Sequence, residues 1–360
     1  VLWGLVFRLP EVAGDVVITA EPRKGIDDDS VESALSDAAE RAAAVGARHL
    51  LVVETPVEIA RPTAAYRRQA RMLEAACVPG FPAVYDENAA IVRSGRTMRD
   101  LARAETPPGS AALYAVHELT GEHGAWVHTH GLDRLGVPEL ELWAVDASDV
   151  AAAGELLRGA VDAILAGVEP DAAHVLTAGE GVEIRLLPVD DALKLFGERF
   201  AASRREHEED EDGEHPGPRL VLAAKDRDEP PYDVFARVGE AAAFYKARTE
   251  ADRRRRAARE RFGVFGQLFA MRRKQGWRFH AQLGFERGAG PSSEHVWFEI
   301  LELKPGRLRG VCLNEPADLD AVRKGEEGWF DLERLTDWIV VAPDGVYDPE
   351  SAPAVLDREP

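Results

Sequence analysis

The chain has 360 residues, 45% hydrophobic and 30% charged, which is too long for one typical core and predicts a soluble globular protein of two or three domains. A formal net charge of -20 makes free nucleic acid an unlikely general partner. No apolar run is long enough to span a bilayer, so no membrane partner is expected.

Leu2–Leu9 is apolar but short, with no basic region before it and no small-residue cleavage site after it. It reads as a strand, as does Asp15–Ala20. The pattern then predicts a helix over Val31–Gly46, capped by Ser30 and closed by Gly46. A short buried strand follows at His49–Val53, then a helix at Ala64–Val78 that Pro79-Gly80 ends. Phe81–Tyr85 reads as a strand and Thr97–Arg103 as a short helix.

Trp126–His130 and Glu139–Val145 are two strands joined by a loop with Gly131, Gly136 and Pro138. Ser148–Ala166 is an amphipathic helix with Ser148 at its N-cap. Val182–Pro188 is a strand, and Asp190–Ala202 closes this part as one helix. Alternating strands and helices predict a layered α/β domain over 1–204.

Glu206–His215 (EHEEDEDGEH) cannot bury enough apolar area to offset its ordering entropy, so 205–218 reads as an acidic linker. A second domain is expected over 219–346. It begins with Arg219–Ala224 as a strand, and one long helix or two then run from Val234 to about Lys274, stopped by Gly276. Trp277–Phe285, His295–Leu303, Leu308–Leu313 and Gly328–Leu332 are β-rich, with Lys304-Pro305-Gly306 as a tight turn. The expected fold class is α+β: the layered N-terminal domain, then a long helix packed on a small bent antiparallel sheet or partial barrel. The tail 347–360, with Pro349, Pro353 and Pro360, is expected to be mobile. The two cysteines, Cys77 and Cys312, read as reduced core thiols of a cytoplasmic protein.

Three constellations could carry chemistry. His128 and His130 share one strand face, and Glu139 and Glu141 share a face of the next strand. If His128 pairs with Glu141, His130 falls opposite Glu139, and the four could hold a divalent ion or do acid–base work. The bland alternative is a cross-strand polar pairing. The second is a basic face, Arg253, Arg254, Arg255, Arg256 and Arg259, with Arg261. It reads as a solvated helix face, as a dock for the acidic linker, or as a phosphate-binding surface. The third is a C-terminal surface of His295, Trp297, Asn314, Glu315, Asp337 and Trp338, where a structural role is favoured because no motif places a nucleophile beside His295. No phosphate-cradling Gly-x-x-x-x-Gly-Lys-Ser/Thr loop and no Gly-x-Ser-x-Gly elbow occurs.

The segment from about Ala241 to Val341 resembles the bacterial family called domain of unknown function 2314. The resemblance rests on the strand at Trp277–Phe285, on Glu294-His295-Val296-Trp297, on Gly310-Val311 with Asn314-Glu315-Pro316, on Lys324-Gly325 and on the closing Asp337-Trp338. The segment before the acidic linker resembles the family called domain of unknown function 4026, on Trp126-Val127-His128-Thr129-His130-Gly131-Leu132 and Pro138-Glu139-Leu140-Glu141. Neither family brings a catalytic residue, so the resemblance implies architecture and not mechanism. The Ala and Arg usage points to a GC-rich bacterial source. The expectation is a non-enzymatic cytoplasmic interaction protein that needs no cofactor and meets another protein. A metal-dependent hydrolase at His128, His130, Glu139 and Glu141 is the alternative, and RNA binding through Arg253–Arg261 a second one.

Overall fold

The computed structural model describes residues 1–10, 12, 14–58, 60–77, 80–170, 173–179, 182–207, 217–235, 248–286, 293–316, 322–343 and 345–356. It is a mixed α+β protein. Most of the acidic run, 208–216, lies outside the described residues, as do 236–247 of the expected long helix.

The first sheet has three antiparallel strands in the order β1 (Trp3–Phe7), β2 (Val16–Pro22) and β3 (His49–Glu54). The expected single helix between β2 and β3 is two, α1 (Asp28–Ala34) and α2 (Ala38–Val45). The chain breaks because Asp37 is a stronger N-cap than a helix-interior residue: its carboxylate accepts from the Glu40 amide at 2.8 Å. Asp27, rather than Ser30, caps α1. Helix α3 (Pro62–Ala76) starts on a proline, whose missing N–H costs nothing at a first turn. A two-stranded ladder, β4 (Ala83–Asp86) and β5 (Ile91–Ser94), leads into α4 (Gly95–Arg103). Ser94 caps α4 by accepting from the Thr97 amide.

The second sheet has six strands: β6 (Ala115–Gly121), β7 (Gly124–His130), β8 (Glu139–Val145), β9 (Val175–Gly179), β10 (Val182–Pro188) and β11 (Arg219–Ala224), in the order β6-β7-β8-β11-β10-β9. Helix α5 (Val150–Leu165) covers one face, and α6 (Val189–Phe196) with α7 (Glu198–Arg205) covers the other. Asp149, not Ser148, stands at the start of α5. The expected helix over Asp190–Ala202 is broken at Gly197, whose φ of 72° is one that L side chains rarely adopt.

Strand β11 corrects the expected boundary at 219. It does not open the C-terminal part. It inserts between β8, to which it runs parallel, and β10. The reason is burial on both faces: Leu222 packs in the α5-side core, while Val221 and Ala223 pack in the α6/α7-side core. An edge position would leave one of these sets in water.

Helices α8 (Arg248–Glu260) and α9 (Phe262–Arg272) follow, so the expected long helix is interrupted at Arg261. The third sheet has the order β15-β14-β13-β12-β16-β17, from β12 (Arg278–Glu286), β13 (Ser293–Lys304), β14 (Arg307–Cys312), β15 (Glu327–Asp331), β16 (Leu335–Ala342) and β17 (Gly345–Tyr347). All its neighbours are antiparallel and it does not close into a barrel. Helix α9 packs on one face, with Phe265 edge-on to Phe279 at 5.5 Å and 5.2 Å from Trp338. Helix α8 lies against β16, where Arg259 donates to the Leu335 and Glu333 carbonyls and Trp338 donates to the Ala258 carbonyl.

The tail is corrected in the same way. Ala352, Pro353 and Val355 are buried, and Ala352 and Val355 belong to the C-terminal core. Residues 357–360 lie outside the described residues.

Candidate functional site

The pairing of β7 with β8 places His128 opposite Glu141, the register the sequence suggested. It does not gather the four side chains. Both residues sit deep, 1% and 0% exposed, on the sheet face beneath α6 and α7. The His128 ring stacks on Trp126 with centroids 3.9 Å apart. Glu141 accepts from the Trp143 indole at 2.8 Å and forms ion pairs with Arg204 of α7 at 3.2 Å and Arg219 of β11 at 3.5 Å. Its carboxylate is thus committed to two guanidinium groups.

Glu139 turns the other way. It accepts from the Gly131 and Leu132 amides at 2.8 and 2.7 Å and from the Thr129 hydroxyl at 2.7 Å, so it braces the turn after β7. His130 Nδ1 donates to the Asn88 carbonyl at 2.9 Å. The residue that joins the histidines is His117 on β6, paired in register with His128. Its ring centroid lies 5.4 Å from that of His128 and 5.3 Å from that of His130. The sequence did not mark β6 as a strand, so this neighbour could not be placed. Among the described residues, no group of three or more His, Cys, Asp or Glu side chains could hold a metal ion.

The basic run is divided between interior and surface: Arg254 and Arg255 are half-buried and Arg259 is exposed. Arg253 and Arg261 are buried. Arg253 pairs with Glu250 at 2.7 Å and Glu350 at 2.9 Å; burial opposes its charge, but these carboxylates outweigh burial and raise its pKa. Arg254 reaches Glu250 at 3.3 Å and Asp337 at 3.6 Å, and Arg255 lies 4.0 Å from Asp252. Arg256 is exposed. Arg261 donates twice to Asp100 of α4, at 3.0 and 2.8 Å. The carboxylates that meet Arg253, Arg254, Arg255 and Arg261 are therefore Glu250, Glu350, Asp337, Asp252 and Asp100. Docking by the acidic linker falls on residues outside those described.

The same groups build a polar seam between the N-terminal and C-terminal parts. Glu260 accepts from the Glu105 and Thr106 amides at 2.7 and 3.0 Å, and Glu350 accepts from the Gly109 amide at 3.2 Å. Burial raises the Glu260 pKa, and these amides overcome that and lower it.

The expected C-terminal surface divides between the two faces of the sheet. Trp338 is fully buried against α8 and α9, and Asp337 is also buried; these are corrections, since alternation along β16 sends Trp338 to the core. Trp297 and His295 lie on the outer face. There the in-register rows are Ile339–His280–Glu299–Val311, all half-buried, and Asp337–Gln282–Trp297, half-buried at Gln282 and Trp297 and buried at Asp337, which Arg254 of α8 reaches at 3.6 Å. Asn314 holds the end of this face, its side-chain oxygen accepting from the Trp297 amide at 2.8 Å. Glu315 is exposed. Burial lowers the pKa of both His280 and His295, opposed at His280 by Glu299 and reinforced at His295 by Arg255. Cys312 points to the core, and burial raises its pKa, as expected of an inert thiol.

No curated protein and no solved structure shows a match to this chain. Two family models do. Residues 113–222 match the one described as Protein of unknown function (DUF4026) C-terminal, which spans β6 into β11. Residues 251–348 match the one described as Uncharacterized protein conserved in bacteria (DUF2314), which spans α8 to β17. The N-terminal part is thus similar to the first family through its six-stranded sheet, and the C-terminal part is similar to the second through its helices and open sheet.

Proposed function

We propose that this chain is a non-enzymatic interaction protein that meets another protein through the outer face of its C-terminal sheet. One observation carries this reading. The face bearing His280, Gln282, His295, Trp297, Glu299, Val311 and Ile339 is half-exposed and mixes aromatic, aliphatic and polar groups, while the described helices that pack on this sheet lie on its other face or along β16. A half-buried aromatic such as Trp297, flanked by polar side chains, is the kind of residue that anchors protein interfaces.

Two features favour this reading over its rivals. Both carboxylates of the His128, His130, Glu139 and Glu141 set are engaged elsewhere, which weakens a hydrolase built on it. Arg253 and Arg261 are buried in ion pairs, which weakens a phosphate-binding helix.

A photo-cross-linking residue at Gln282 tests it, with the same residue at exposed Met271 on α9 as the control. A specific protein adduct at position 282 that is absent at 271 and lost on Trp297→Ala is expected. Equal labelling at both positions, or none at 282, overturns the reading.

A further inference from the structure

Strand β1 is an edge of the first sheet, paired on one side with β2; among the described residues no strand pairs with its other side. Its in-register partners show which way its side chains point. Trp3, Leu5 and Phe7 lie opposite Ala20, Ile18 and Val16, the buried residues of β2. The core face of the sheet therefore continues onto β1, but its cover does not: Trp3 is 53% and Leu5 52% exposed, and on the opposite face Val6 is 61% exposed.

Edge strands are normally guarded by charge, proline or a bulge. From Val1 to Phe7 there is no charged residue and no proline, and the ladder from Trp3↔Ala20 to Phe7↔Val16 has no irregularity. The nearest charge, Arg8, is neutralised by Asp15 at 2.6 Å.

We infer that β1 is the self-association surface of this protein, pairing antiparallel with β1 of a second copy about a two-fold axis. The occupant must be an uncharged apolar strand, because a charged one would be desolvated against Trp3 and Leu5 without a counter-charge. A second copy supplies such a strand. Antiparallel pairing is self-complementary, so one axis satisfies the open amides and carbonyls of both strands and sets their uncovered core faces side by side. Trp3, Leu5 and Val6, each just over half exposed, leave about 300–400 Å² of apolar side chain bare on β1, within the range of patches on monomers. Edge pairing covers only part of this area, less than the roughly 1000 Å² of a stable specific interface, so the dimer is weak and concentration-dependent. Two three-stranded sheets then become one continuous sheet across the axis.

The test is sedimentation equilibrium of the full chain, as wild type, as Leu5→Lys and as Val346→Lys, the last at an exposed residue of β17. The expected result is a concentration-dependent dimer for wild type and Val346→Lys, with dimerisation weakened about 100-fold in Leu5→Lys. Added salt should tighten the dimer, because each copy carries a net charge of -20 and the contact itself is apolar. A Leu5→Cys variant gives a readout that does not depend on disruption: a short bis-maleimide should join two copies well above the wild-type background. A wild type that stays monomeric at every loading concentration, a Leu5→Lys protein that dimerises as wild type does, a dimer that loosens with salt, or no extra cross-linking at Leu5→Cys each overturns the proposal.

Discussion

Glu141 shows how a single buried charge is held. Its desolvation is severe, and only the two guanidinium groups and the Trp143 indole make it tolerable. Replacing it by Ala would take away the carboxylate that faces Arg204, itself buried. We expect Glu141→Ala to destabilise the protein by about 3–5 kcal/mol in urea unfolding, and a loss below about 1 kcal/mol would refute the ion-pair account. A second residue-scale prediction concerns His123, at the β6–β7 turn, which is hydrogen-bonded to Glu206 after α7. That bond, and the Glu206 charge with it, raises the His123 pKa, and the same bond lowers that of Glu206. The His123 contribution is therefore fully present below the ordinary histidine value of about 6.5 and is lost as pH rises through the raised His123 value, while the Glu206 contribution is lost as pH falls through its lowered value. NMR titration should place His123 above its ordinary range, and Glu206→Gln should return it there.

At the scale of elements, backbone requirements override periodicity. Apolar spacing alone joined α6 to α7, yet Gly197 adopts a left-handed φ that redirects the chain between them. Nothing crowds the space a Cβ would fill there, so Gly197→Ala isolates the backbone term. It should cost about 1 kcal/mol, read as a lowered urea midpoint with unchanged slope. The polar seam is a second element-scale feature. Because Glu260 and Glu350 accept from the Glu105, Thr106 and Gly109 amides, Glu260→Gln with Glu350→Gln should speed hydrogen exchange at those three amides and leave the sheet interiors unchanged. Unchanged protection at all three would refute the seam.

For the whole molecule, the outer face of the C-terminal sheet sets an acid limit. His280 and His295 bind protons less readily folded than unfolded, since burial lowers both pKa values. The unfolded chain therefore takes up more protons as pH falls below about 6.5, and stability falls with it. The urea midpoint should drop through that window, and His295→Gln should flatten the drop. A midpoint that rises toward acid would contradict the assignment.

Several features were legible in the sequence alone. The spans Glu139–Val145, Val182–Pro188 and Arg219–Ala224 match their strands because each is a short apolar run bounded by turn residues. The two family resemblances and the register of His128 with Glu141 were legible for the same local reason: motif spacing and strand alternation are properties of neighbouring residues. Other features were decided only in three dimensions. Strand β6 was missed, β11 was placed in the C-terminal part, and the arginine run was read as a face when Asp100 and Glu350 draw two of its members inward. Each of these depends on partners far away along the chain. Local pattern fixes which residues want burial or a counter-charge, but only the packed fold supplies the specific partner.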